Sequence, residues 1–351
     1  MKQYDTDFLE SFESIDTKLP PQNKQQNEET YRLTMAAAGL QKPIKRIKKR
    51  TCILLAAAIV MIFSVSAGAY ELTTGSLFKN YFAKTESNSG AVNSLTESQV
   101  AKINEAGTLL NQVVTNNGTT IQIRAAVGDK SCAYILLDVT APKGTVLDKD
   151  NYEFAEMPIE FHNAISKTQK GEGSSISWDI TAQKDTIPND NKKSLVIRIN
   201  CAGIDLQNRN IQMTLKDLSL PNGKLAYTTV VKGEWKFDMK LDYSTVSKNI
   251  QVNKVTHYSD DYSTIQTVSL STLSASVKFS DQKVQDNPDY KDIFRVPDLI
   301  VEMKDGTHST ILSGAGSGDQ GSFSTAYQFT APLDFDKVAK ITLGDVEIPI
   351  K

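Results

Sequence analysis

Three cysteines and three histidines in 351 residues leave little material for metal or thiol chemistry. His162, His257 and His308 are widely separated, with no cysteine nearby and no patterned Asp or Glu, so no metal-ligand spacing is met. There is no G-x-S-x-G and no Cys/His nucleophile arrangement. "GSGDQG" at 316–321 has the letters G-x-G-x-x-G, but it leaves "TILS" and enters the strand-like "FSTAYQF". A dinucleotide fingerprint must open a helix, so this one reads as a flexible β-loop. "SDD" at 259–261 and "DQKVQDNPDYKD" at 281–292 lack the alternating acids and the glycine of a calcium loop. These absences point away from an enzyme, and no cofactor or metal is implied.

Positive charge is densely clustered in one place. The net charge of −2 combines −3 in residues 1–41, from four basic and seven acidic side chains, +6 in 42–50, from six basic ones, and −5 in 71–351. No extended basic face follows, which speaks against nucleic acid as a partner and for lipid head groups at that cluster. Long apolar runs are scarce, so one membrane segment is the most the sequence supports. In "CAYILLDV" the core-side alternation is Ala133, Ile135, Leu137 and Val139, leaving Cys132 on the other face. Cys201 shares parity with Leu195, Ile197 and Ile199, an arrangement that argues against a disulfide between the two.

The one long apolar stretch, Thr51 to Tyr70, is twenty uncharged residues. As a helix it would be roughly 30 Å long, the thickness of a bilayer's hydrocarbon core. Lys42, Lys45, Arg46, Lys48, Lys49 and Arg50 precede it, while the far side opens on Glu71 with no basic residue until Lys79. The positive-inside rule then keeps the amino terminus in the cytoplasm and places the carboxy terminus outside the cell. The alternative is a cleaved signal peptide with a core from Cys52 to Phe63 and small residues "AGA" at 67–69. Against it, the fifty preceding residues far exceed a short basic leader and begin with an acidic pattern of their own.

That pattern is helical. Tyr4, Phe8, Phe12, Ile15 and Leu19 fall at steps of four, four, three and four, with acidic residues around them and Pro20-Pro21 as a stop. "NEETYRLTMAAAGL" is a second candidate helix, with Asn27 as N-cap and Gly39 near its end. Two short helices cannot build a core, so the arm is either a solvated tail or an amphipathic helix that docks in a partner's groove. In the second case Phe8 and Phe12 are the leading anchors.

After a stretch read as a stalk, Thr96 with Gln99 forms a capping-box pattern ahead of "VAKINEAG". The period then changes. "TTIQIRAAV", "CAYILLDVTA", "SLVIRINCA", "IQMTLKDLSL", "GEWKFDMKL", "TIQTVSLS", "ASVKF", "DLIVEM", "AYQFTA" and "VEIPI" are short and β-branched, separated by "NNG", "NG", "DG" and "GD" turn signals. The expectation is mainly β: a cytoplasmic arm (1–50), one transmembrane helix (51–70), a stalk and short helix (71–103) and two tandem antiparallel sandwiches (104–245 and 246–351). "TTIQ" at 119–122 and "STIQ" at 263–266 suggest that the two sandwiches open alike.

The run "LTESQVAKINEAGTLLNQVVTNNGTTIQIRAAVGDKSCAYILLDVTAPKGTVLDKDNYEF" and the later "VKGEWKFDMKLD" carry a resemblance. With the arm, basic stop and single span before them, they resemble the single-pass membrane proteins of Gram-positive bacteria that accompany extracytoplasmic-function sigma factors and are regarded as their anti-sigma factors. The likeness runs from about residue 28 onward. It implies an Ig-like first extracellular domain, a second β-sandwich, and a cytoplasmic segment that sequesters a sigma factor while the outer domains meet an unidentified extracellular ligand. Residues 1–50 contain no Cys/His zinc motif, so sequestration would use hydrophobic contacts of the Phe8/Phe12 kind. The alternative function is a surface-displayed tandem-sandwich binding or adhesion module with no regulatory role.

Overall fold

The computed structural model describes residues 75, 77–79, 81–83, 95–162, 175–183, 187, 189–223, 226–243, 245, 247–258, 261–283, 296–318 and 322–350. All of them belong to the unit Val65–Lys351. The mainly β expectation is met by four antiparallel sheets. No helix among the described residues is long and apolar enough to cross a membrane, and Thr51–Tyr70 lies outside them.

Residues 77–79 and 81–83 are helical, and α1 (Glu97–Glu105) follows. The capping box that starts α1 is formed: Gln99 N–H donates to Thr96 Oγ1 at 3.2 Å and Thr96 N–H to Gln99 Oε1 at 2.9 Å. Two of the donors that a helix start leaves unpaired are thereby satisfied.

Nine strands form the first sandwich: β1 (Gly107–Asn116), β2 (Thr119–Gly128), β3 (Cys132–Thr140), β4 (Glu153–Glu156), β5 (Ile159–His162), β6 (Ser175–Ala182), β7 (Lys192–Ala202), β8 (Asn210–Pro221) and β9 (Tyr227–Lys240). Sheet A has the order β1-β2-β3-β7-β6; in sheet B, β4 and β5 pair with one side of β8 and β9 with the other. The first turn follows from its residues. Asn117 and Gly118 both have positive φ, 48° and 76°, which a two-residue turn of type I′ needs to join β1 to β2.

The second sandwich repeats this plan with β10 (Lys248–Tyr258), β11 (Asp261–Leu270), β12 (Ser274–Lys283), β13 (Leu299–Met303), β14 (His308–Ser309), β15 (Ile311–Gly318), β16 (Ser322–Phe329), β17 (Val338–Leu343) and β18 (Val346–Pro349). Sheet C runs β10-β11-β12-β16-β15, the order of sheet A with each strand moved on by nine, and sheet D runs β14-β13-β17-β18. Even the first-strand bulge recurs. Asn111 in β1 and Asn253 in β10 have φ of 50° and 49°, each where the register to the next strand slips. The "TIQ" echo thus marks β2 and β11, equivalent strands of two like sandwiches. The "GSGDQG" stretch is not loop throughout: residues 316–318 end β15 as a small-residue strand lying, with β16, against β7 of the first sandwich.

Each sandwich has its own core. Between sheets A and B lie Ile121, Ile135, Leu137, Ile197, Trp235 and Phe237, among others. "GEWKFDMK" shows the period of two plainly: Trp235, Phe237 and Met239 are buried and their neighbours exposed. Trp235 is fully buried, its Nε1 donates to Thr119 O at 3.1 Å, and a Cβ on Gly233 would come within 2.5 Å of its ring. Phe279 and Phe323 stack, 4.7 Å between centroids, in the core between sheets C and D. Replacing Trp235 with alanine opens a cavity and strands the Thr119 carbonyl. We expect a loss of about 3–5 kcal/mol, read as a lowered urea midpoint for the first sandwich.

Candidate functional site

Around the first six residues of β3, sheet A is buried on both faces, and its far face there is where the two sandwiches meet. Ile135, Leu137 and Val139 point into the sandwich core, while Cys132, Tyr134 and Leu136 on the same strand point away from it and are also buried. Phe78, Tyr81 and Phe82, from the helical residues that the sequence assigned to a stalk, cover that far face. Their rings meet Tyr134 edge-on, Tyr81 at 5.5 Å and Phe82 at 5.0 Å between centroids. Leu95, Ile103 and Ala106 of the α1 region join them, and so do Leu273 and Ala331 from the second sandwich. The spacing of Leu77, Phe78, Tyr81 and Phe82 is one helical stripe, the signal that would have found this contact.

Helix α1 is bonded to the second sandwich. Ser98 Oγ donates to Asp334 Oδ2 at 2.7 Å, Gln99 Nε2 to Pro332 O at 2.9 Å, and Lys102 Nζ lies 5.7 Å from the Phe335 ring centroid. Gly75 fits against α1 closely: its N–H donates to Asn104 Oδ1 at 2.5 Å, and a Cβ there would come within 2.6 Å of Val100 O.

The polar centre of the junction is Asp129, in the turn between β2 and β3, at 1% exposure. Its Oδ1 accepts from the backbone N–H groups of Ser131 at 2.8 Å and Cys132 at 2.9 Å. Its Oδ2 accepts from the hydroxyls of Ser271 and, at 2.8 Å, Ser274. Ser271 begins the β11–β12 turn, the counterpart in the second sandwich of the turn that Asp129 begins; Asp129 N–H donates to Cys132 O and Ser271 N–H to Ser274 O in the same way. The connection between sandwiches is tied to the same turn. Tyr243 OH donates to Asp129 O at 3.1 Å and Thr245 Oγ1 to Gly128 O at 2.7 Å. A side chain on Gly128 would run into the Tyr243 ring. Four donors offset the desolvation of a buried carboxylate that has no cation beside it among these contacts. With its oxygens so occupied, Asp129 is a clasp between the sandwiches and not a base open to solvent.

Beside the clasp is a cleft of about 270 Å³ whose walls are mainly hydroxyls, among them Ser247, Ser269, Ser276 and Ser324, with Lys130 and Asp205. It contains no aromatic side chain and no histidine. Elsewhere His257 is exposed and 3.0 Å from Asp345 Oδ2, and the His257 backbone N–H is the main cause that holds the Asp345 carboxyl below its usual range. His162 and His308 are exposed strand residues of different sandwiches. Among the described residues no group of three or more His, Cys, Asp or Glu could hold a metal ion. Tyr4, Phe8, Phe12, Ile15 and Leu19, and the cluster Lys42, Lys45, Arg46, Lys48, Lys49 and Arg50, lie outside the described residues.

Cys132 and Cys201 are free, fully buried thiols. They project to opposite faces of sheet A, Cys132 into the cluster on the far face and Cys201 into the sandwich core. Burial pushes both thiols up, and the nearby Asp129 pushes them further. Tyr134 is likewise raised by burial, and its hydroxyl has no hydrogen-bond partner among the described residues.

No protein-family model matches the chain, and no curated protein matches it significantly. A conserved domain protein from Bacillus anthracis, known from its crystal structure, is 18% identical over 71% of this chain and 80% of that one, with a TM-score of 0.48. The N-terminal periplasmic domain of ScsB from Proteus mirabilis is 12% identical over 69% and 96%, with a TM-score of 0.21. Likenesses this distant carry no argument about function, and the fold rests on the sheets described above.

Two outcomes follow from the site. Asp129→Ala removes four hydrogen bonds to one buried carboxylate and should cost at least about 2 kcal/mol in chemical denaturation, more than substitution of any exposed acid on these sheets. The intact mass after aerobic storage should show Cys132 and Cys201 as two free thiols; loss of two hydrogens as an internal disulfide would contradict the placement of the two thiols on opposite faces of sheet A.

Proposed function

We propose that the protein is a membrane-anchored, anti-sigma-like signal transducer, with residues 1–50 as a cytoplasmic arm that sequesters an extracytoplasmic-function sigma factor and the two sandwiches outside. The supporting observation is the order of features around the apolar stretch. An acidic amphipathic pattern and six basic residues precede Thr51–Tyr70, and packed aromatic residues follow within a dozen positions. A display module needs only a loose tether at that point. Here Phe78, Tyr81 and Phe82 are buried in the junction of both sandwiches, so a change at the junction reaches the end of the apolar stretch over a short length of chain. Sequestration uses the face of Tyr4, Phe8, Phe12, Ile15 and Leu19, laid into a hydrophobic groove with basic rims.

A second reading, a displayed binding module, draws on the hydroxyl-lined cleft between the sandwiches. On that reading the arm is a bare tail, and deleting residues 2–40 leaves the cell's phenotype unchanged. The direct test of the first reading is co-purification. A sigma factor should be retained by the full chain and lost on the double substitution Phe8→Asp with Phe12→Asp, and equal recovery with both chains would remove the regulatory reading.

A further inference from the structure

We infer that the helical residues 77–79 and 81–83 act as a strap that is held closed by the Asp129 clasp and lifts from sheet A when the two sandwiches part. Three observations carry this. The cover over Cys132, Tyr134 and Leu136 is shared: Phe78, Tyr81 and Phe82 come from the strap, Leu273 and Ala331 from the second sandwich. Neither part closes the far face of sheet A without the other. Helix α1 connects them, bonded to Pro332 and Asp334 on one side and to Gly75 on the other, so movement of the second sandwich draws on the strap.

The second observation is the nature of the fastening. The cover itself is apolar and non-directional, whereas Asp129 with Ser271 and Ser274 is a small polar contact beside an open, hydroxyl-lined cleft. Breaking it exposes hydroxyls and a carboxylate that water can solvate at once. The third is Tyr134. Its hydroxyl is buried beneath Tyr81 and Phe82 with no partner among the described residues, and lifting the strap restores its hydration. The closed state therefore contains one unfavourable burial that the open state relieves, as expected of an element poised between two arrangements. The core between sheets A and B lies on the other face of β2, β3 and β7, whose pairing does not depend on the strap.

The regulatory meaning of the strap rests on the transducer reading above, whereas the opening does not. The two native thiols report it, since Cys132 lies on the far face beneath the cover that the strap and the second sandwich share, and Cys201 in the first sandwich's core. The full chain carrying Cys52→Ala, in detergent micelles, is exposed to iodoacetamide and the modification of each thiol is followed by peptide mass. Cys132 should react faster than Cys201. The pair Ser271→Ala with Ser274→Ala should speed Cys132 roughly tenfold or more, and Tyr134→Phe should slow it by about as much, with Cys201 unchanged in both. Continued protection of Cys201 also shows that each variant is folded. Equal rates at the two thiols in every variant would mean that the far face opens only with global unfolding, and the strap would be ruled out. Selective reaction of Cys132 with sigma-factor capture unaffected by the Ser271/Ser274 pair would keep the strap and remove its link to the proposed function.

Discussion

Asp129 stands at the end of one hairpin with its two oxygens divided between two tasks. Oδ1 closes its own turn by accepting from Ser131 and Cys132, and Oδ2 accepts from the hydroxyls of the equivalent turn in the other sandwich. The polypeptide linking the sandwiches returns to the same turn through Tyr243 and Thr245. Without these bonds a buried carboxylate would be unfavourable by several kcal/mol. The constraint is therefore mutual, since the turn needs the second sandwich to satisfy its acid and the second sandwich takes its position from that acid.

Around this clasp the packing is ordinary in kind and unusual in arrangement. Around β3, sheet A is covered on its inner face by sheet B and on its far face by residues from before the first strand and by Leu273 and Ala331 of the second sandwich. A sheet buried on both faces needs strands that are apolar at nearly every position. β3 is such a strand, buried from Cys132 through Leu137. β9 faces a core on one side only and alternates strictly. The difference between these two strands is the trace, in the chain itself, of a cover supplied from elsewhere.

That contrast explains what could be read from the residues and what could not. The β class, the α1 capping box, the two-residue turn at Asn117-Gly118 and the opposite faces of Cys132 and Cys201 all depend on local period or local chemistry, and each is visible in a short window. Edge strands β1, β6, β10 and β15 carry no such signal, since half-exposed strands mix polar and apolar residues without a clean period. Asp129 gave no signal, because its partners Ser271 and Ser274 are more than 140 positions away and "GDKS" reads as any polar turn. Phe78, Tyr81 and Phe82 have the spacing of a buried stripe, but their neighbours in sequence are those of a tether, and "CAYILL" is apolar on both halves of its alternation because both are buried.

The account turns on whether the residues that follow the apolar stretch belong to the folded core. Hydrogen exchange of the full chain, followed by mass spectrometry at the amides of Phe78, Tyr81 and Phe82 and at those of β3, measures this directly. Protection of the aromatic segment lasting far beyond that of a free peptide, and falling when Ser271 and Ser274 are both replaced by alanine while β3 stays protected, is the result the account predicts. Exchange of Phe78, Tyr81 and Phe82 at the rate of an unstructured tether in the unaltered chain would contradict it.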